Sequence, residues 1–219
     1  TARALAWQLT YRLPEAVAGY GEVLKKDPRH HEARSARLLA MHYLDEVDRA
    51  ALFAEHKAFG AACEGPSSAV LPNSPEPARR LRVAFLSPDL RTHSVAFFLE
   101  RLLAHLDAAQ FEVYLYHDHP QVDEMSAKLR AHASLWRNFS GQTSEAVEAA
   151  IRADAPDVLV DLAGHTGINR LPLFAHRLAP VQITWLGYPD TTGLPAMDYR
   201  FVDAITAPVG AAEPFHPEK

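Results

Sequence analysis

Within a few residues of position 81 the chain changes its hydrophobic period, and no other feature limits the fold as much. Up to residue 63 the apolar residues recur at helical spacing. From residue 81 they gather in short β-branched and aromatic runs: "LRVAFLS" (81–87), "FEVYLYH" (111–117), "DVLVDL" (157–162), "VQITWLG" (181–187) and "DYRFVD" (198–203). Helical stretches separate them: "SVAFFLERLLAHL", "VDEMSAKLRAHA", "SEAVEAAIRAD" and "NRLPLFAHRL". Strands alternating with helices predict βαβ units and a parallel sheet covered on both faces. The expected fold class is therefore α/β, Rossmann-like, for residues 81–219. Such sheets take ligands at the carboxyl ends of their strands.

Residues 1–63 predict an all-α segment. Pro14 suits a helix N-terminus, where its missing N–H costs nothing. Ala16, Tyr20, Val23 and Leu24 follow about a turn apart, and Asp27-Pro28 ends the helix. Two further helices are expected in "HEARSARLLAMHYL" and "DEVDRAALFAEHKAFGAA". The order small, aromatic, aliphatic, proline (Ala16, Tyr20, Val23, Pro28) resembles the second helix of a tetratricopeptide repeat, whose neighbours are needed to cover its faces. An ordinary helical hairpin is the other reading. Residues 64–80 carry Pro66, Pro72, Pro75 and Pro77 and no periodicity, which predicts a semi-extended linker. Neither end of the sequence reads as a natural boundary, so further repeats before it and a further domain after it are expected.

Of the 219 residues 48% are hydrophobic, enough for a packed core, and the net charge of −5 argues against a general nucleic-acid binder. A lone Cys63 excludes an internal disulfide and fits a reducing, cytoplasmic setting. No apolar run approaches the roughly 20 residues of a membrane span, so no membrane partner is expected.

Three of the five predicted strands end on or near histidine. Asp89 and His93 follow the first strand in "SPDLRTHSVAFF"; His117 and His119 close the second in "HDHP"; His165 sits between glycines in "AGHTG". His93 and His165 are the candidates for chemistry. His117 and His119 read as solvated loop positions, and the histidines on helices and tails (His42 and His56 among them) receive no role. The motifs G-x-x-x-x-G-K-[ST], G-x-G-x-x-G and G-x-S-x-G are missing, as is D-x-D. Two alternatives stay open on the residues alone. One is a metal-dependent hydrolase using His93, His117, His119 and His165 with Asp161 or Asp89; the other is a non-catalytic scaffold.

The segments "RVAFLSPDLRTHSVAFFLE", "PDVLVDLAGHTG" and "APVQITWLGYPDTTGLPAMDYRFVD" resemble the catalytic region of protein O-linked N-acetylglucosamine transferases and SPINDLY-type glycosyltransferases. The likeness covers about residues 81–208. It implies a tetratricopeptide superhelix leading into a two-lobed GT-B enzyme, of which the N-terminal lobe lies here and the UDP-binding lobe would follow. The implied reaction is inverting transfer of N-acetylglucosamine from UDP-GlcNAc to Ser or Thr hydroxyls of proteins held along the repeat groove, without a metal or other cofactor. GDP-fucose is the alternative donor, since SPINDLY-type relatives transfer fucose. By the same resemblance His93 is the general base or a sugar contact. Asp89, His165, Leu186, Gly187, Tyr188, Pro189, Thr191, Thr192 and Gly193 line the donor pocket, and the two glycines bring backbone against ligand. Asp190 has no assigned function.

Overall fold

The computed structural model describes residues 1–63, 70–76, 78–208 and 213–219. Part of the expected linker, residues 64–69 and 77, lies outside the described residues.

Four helices come first: α1 (Ala2–Leu9), α2 (Leu13–Lys26), α3 (His31–Met41) and α4 (Arg49–Ala62). Pro14 sits in the first turn of α2, and Asp48 caps α4 by accepting a hydrogen bond from the Ala50 amide at 2.9 Å. Ala16, Tyr20 and Leu24 of α2 pack with Ala4 of α1 and Ala33 of α3, and the Tyr20 hydroxyl donates to Gln8 Oε1 at 2.8 Å.

The second part runs β1 (Leu81–Ser87), α5 (Ser94–Leu103), β2 (Phe111–His117), α6 (Glu124–Ala131), β3 (Leu135–Asn138), α7 (Ser144–Asp154), β4 (Val158–Asp161), α8 (Leu171–Phe174), β5 (Val181–Trp185) and β6 (Tyr199–Phe201). All strands are parallel, in the order β3-β2-β1-β4-β5-β6. This is the doubly wound α/β sheet read from the period change. Strand β3 is an addition: "LWRN" is too short to show alternation, and it joins as an edge strand through Leu135 opposite Tyr114. Helix α8 is much shorter than its sequence run. The Gln182 side chain takes the Phe174 carbonyl that a longer helix would use, and Arg177 turns to φ 51.

Side chains alternate across the sheet. Phe85 and Val160 face α5 and α6, packing with Val95, Leu99 and Leu129. Ala84, Leu86 and Leu159 face the other way, into a core with Val147 and Ile151 of α7. That same core contains Leu38 and Met41 of α3 and Leu52 and Phe59 of α4. The last two helices thus cover part of one face of the sheet. The described linker residues are held too: Asn73 Nδ2 donates to the carbonyls of Ala155 and Pro156, and Arg79 pairs with the buried carboxylate of Asp157. Among the described residues no helix is long and apolar enough to cross a membrane.

Candidate active site and the helix–lobe seam

The strand order reverses between β1 and β4, which makes their carboxyl ends the switch point where a doubly wound sheet opens a crevice. The loop after β1 carries Asp89 and His93; the loop after β4 carries His165. From the next strand, β5, comes the "LGYPDTTG" segment.

His93 is the N-cap of α5, in extended conformation, with its side chain 38% exposed. Its Nδ1 accepts from the Val95 amide at 3.3 Å, and Asp89 Oδ2 stands 3.8 Å from the same nitrogen, beyond hydrogen-bond length. The loop beneath is fastened on both sides. The Ser87 hydroxyl accepts from the Asp89 amide at 2.9 Å, Asp123 Oδ2 accepts from the Thr92 amide at 2.8 Å, and Ser126 Oγ donates to the Leu90 carbonyl at 2.7 Å. The Thr92 amide and the amides opening α6 hold the Asp123 carboxyl down at about 2. The cap bond has a chemical consequence for His93. A neutral imidazole that accepts at Nδ1 carries its proton on Nε2, so the exposed nitrogen is a donor. A base at Nε2 requires the opposite tautomer, with Nδ1–H turned to Asp89.

His165 stands elsewhere. It is fully buried at the seam between lobe and helices, with Nε2 2.9 Å from the Thr192 carbonyl and Nδ1 3.0 Å from Ser35 Oγ of α3. A carbonyl only accepts, so Nε2 carries the proton and Nδ1 receives that of Ser35. The Phe59 ring of α4 meets it edge-on at 4.5 Å. Burial, then repulsion by His56, keeps the imidazole well below its ordinary range. The folded protein therefore holds it neutral, while the unfolded chain takes up a proton below about pH 6.5. The stability linked to His165 is complete well above that pH and declines as pH falls below it. Burial raises the Asp161 carboxyl to about 6, against the amides of Ala163 and Gly164 and the Thr184 hydroxyl that favour its ionised form. A raised carboxyl acts with the opposite sign, adding stability as pH falls from 6. Comparing His165→Gln with wild type removes that contribution. The difference between their urea-unfolding free energies should shrink from pH 7 to pH 5. An unchanged difference would mean that His165 titrates freely.

The segment after β5 divides in two. Leu186 (at φ 72), Gly187, Tyr188 and Pro189 border a cavity of about 590 Å³ shared with Trp185, Arg200 and Phe201. Thr191 and Thr192 do not face it. Their hydroxyls donate to the carboxylate of Glu218 at 2.7 Å each, and the Thr192 amide adds a third bond at 2.9 Å. A side chain on Gly187 would collide with the Leu162 carbonyl, and one on Gly193, at φ 71, with the His56 carbonyl of α4. Both glycines serve backbone-to-backbone contact within the protein. The ligand contact expected of them from sequence is not what these collisions describe.

A second cavity, about 470 Å³, lies between the start of α3 and the carboxyl ends of β2 and β4, with His31, Asp118, Ser144 and Arg170 on its wall. Arg170 Nε reaches Asp118 Oδ2 at 2.7 Å. His117 corrects the reading of a solvated position: it is buried, with Nε2 2.8 Å from the Gln121 carbonyl and its ring 5.4 Å from that of Trp136. Burial lowers its pKa.

The hydrolase set is not brought together. Among the described residues, the group that could hold a metal is His42, His56 and Asp190, none of it in that set. His56, Ser35 and Glu218 are seam residues with no local signal in the sequence. Each acquires its partner across more than 25 positions: Tyr188 for His56, His165 for Ser35, Thr192 for Glu218.

Comparison with known proteins follows the same outline. Residues 64–219 match the profile of glycosyl transferase family 41. A probable UDP-N-acetylglucosamine–peptide N-acetylglucosaminyltransferase SPINDLY of Solanum lycopersicum is 39% identical over 196 residues, covering 87% of this chain and 21% of the relative. A UDP-N-acetylglucosamine–peptide N-acetylglucosaminyltransferase of Caenorhabditis elegans is 30% identical over 143 residues, 63% of this chain and 12% of that one. The solved structure of a mutant O-GlcNAc transferase from Thermobaculum terrenum superposes with a TM-score of 0.91 at 33% identity, over 99% of this chain and 42% of that one. The chain spans about a fifth of the length of the SPINDLY relatives it matches.

Proposed function

The chain belongs to glycosyl transferase family 41, and from that membership we propose that this protein transfers N-acetylglucosamine from UDP-GlcNAc to Ser or Thr hydroxyls of other proteins. The observation that carries the reading is the match of residues 64–219 to the family, backed by a superposition on an O-GlcNAc transferase over 99% of the chain. The acceptor hydroxyl attacks the anomeric carbon from the face opposite the diphosphate, its proton passes to a base or to the departing diphosphate, a C–O bond forms with inversion, and UDP leaves with the electrons of the broken C–O bond. Charge grows on the diphosphate as it leaves, and donors placed where it grows lower the barrier.

In this reading the carboxyl ends of β1, β4 and β5 form one wall of the donor cleft, and a second lobe supplies the uridine and diphosphate contacts. His93 is the residue proposed to touch substrate. The cap bond at Nδ1 supports a role as an Nε2–H donor to the sugar or diphosphate. Asp89 sits within reach to steady the ring, and Leu186, Gly187, Tyr188 and Pro189 shape the neighbouring wall. His165, Thr191, Thr192 and Gly193 act one layer back, fixing that wall to the helices. Helices α1–α3, packed as successive pairs, support a tetratricopeptide-like stack whose groove presents acceptor protein. A cytoplasmic setting is part of the proposal.

Transfer of radiolabel from UDP-GlcNAc by the full-length protein tests this directly. Alkali-labile label on acceptor Ser or Thr is the expected result. Label from GDP-fucose alone would reassign the donor, and no transfer from either would favour a scaffold.

A further inference from the structure

Three side chains from separate segments meet at the seam: His42 at the C-terminus of α3, His56 inside α4, and Asp190 in the loop after β5. Their ligating atoms all lie within 4.8 Å of one another. We propose that His42, His56 and Asp190 form a structural zinc site that clamps the helical segment onto the catalytic lobe. The proposal does not rest on the transfer reaction, and Asp190 directly follows the Leu186–Pro189 stretch assigned above to the donor wall.

The donor atoms are suited to the ion. His42 Nε2 is buried and has no hydrogen-bond partner, with Asp190 Oδ2 3.6 Å away. His56 Nδ1–H donates to the Leu52 carbonyl at 2.9 Å, which fixes the tautomer and leaves the Nε2 lone pair pointing outward. Metal-bound histidines are typically held this way by a backbone acceptor on the far nitrogen. Asp190 is anchored through Oδ1, which accepts from the Thr191 amide at 2.7 Å, so Oδ2 is the oxygen left to coordinate. Arg200 Nη1 stands 3.9 Å from Oδ1, on the same anchored side.

Size also fits. The centre of a triangle whose sides do not exceed 4.8 Å lies within about 2.8 Å of each corner. Each donor then needs to move inward by about 0.7 Å to reach the usual 2.0–2.1 Å. Two imidazoles and a carboxylate leave a fourth position for water, a ligand set matching zinc better than magnesium or calcium. One bond must be surrendered. The Tyr188 hydroxyl now donates to His56 Nε2 at 3.0 Å and would swing aside. Its ring, edge-on to His42 at 5.2 Å, would turn with it.

This arrangement makes an unusual prediction for the competitor residue. The full-length protein, stripped by chelator, is titrated with zinc chloride by calorimetry and followed by thermal unfolding. One zinc per chain with a dissociation constant at or below about 1 µM, and a melting temperature raised by several degrees, is expected. His42→Ala and Asp190→Asn should weaken binding at least 100-fold and abolish the shift. Asp190→Asn, nearly isosteric, serves if His42→Ala fails to fold. Tyr188→Phe, which frees His56 Nε2, should bind zinc at least as tightly as wild type. Absence of a zinc-dependent shift in wild type overturns the proposal, and so does binding that survives both His42→Ala and Asp190→Asn.

Discussion

Turnover of a full-length His93→Ala protein at saturating donor is expected to fall by about 10²–10³-fold, the usual loss when one preorganised donor to a developing charge is removed. The replacement that distinguishes its role is His93→Gln. Gln presents an N–H near the former Nε2 position but cannot take a proton at neutral pH. Because Nδ1 of His93 is committed to the Val95 amide, the donor role predicts that Gln recovers turnover to within about tenfold of wild type. Gln as inactive as Ala would instead establish His93 as the general base, with the ring turned toward Asp89. Melting temperatures of the two variants should match, since either substitution removes only a cap at a partly exposed site.

Gly193→Ala is expected to destabilise the protein by more than about 3 kcal/mol. Two costs combine. Alanine at φ 71 is strained by about 1 kcal/mol, and its Cβ would occupy the space of the His56 carbonyl, backbone that a side-chain rotation cannot clear. Gly60→Ala on the opposite surface should act in the same way, since its Cβ would strike the Gly193 carbonyl. Urea midpoints of both variants check this. If Gly193 served a ligand instead, alanine there would leave the midpoint in place and raise KM.

Much of the lobe was legible because its cause is local. A run such as "LRVAFLS" sends alternate residues into different cores, and β1 occupies the same seven residues. Legibility ended where a partner was remote. "LWRN" becomes a strand only because β2 offers an edge, and His42 and His56 follow helical spacing that says nothing of Tyr188 or Asp190. The glycines of "WLGYPDTTG" predict close approach of backbone to ligand, and the approach seen at them is to protein backbone. Spacing reveals that backbone must be approached, not by what, and here α4 and the loop after β4 do the approaching. Asp190, unexplained by its neighbours in sequence, faces His42 from nearly 150 residues earlier.

The shared core of α3, α4 and the sheet bears on how this protein could be recombined. Helices α1 and α2 meet the rest chiefly through α3, whereas Ser35, His56, Phe59 and Gly60 are fitted individually to the lobe. A chimera that exchanges helical repeats should therefore place its junction ahead of α3, in the Asp27–His30 turn. Cutting at residue 81, where the sequence rhythm changes, would separate the lobe from the helices that cover part of one of its faces.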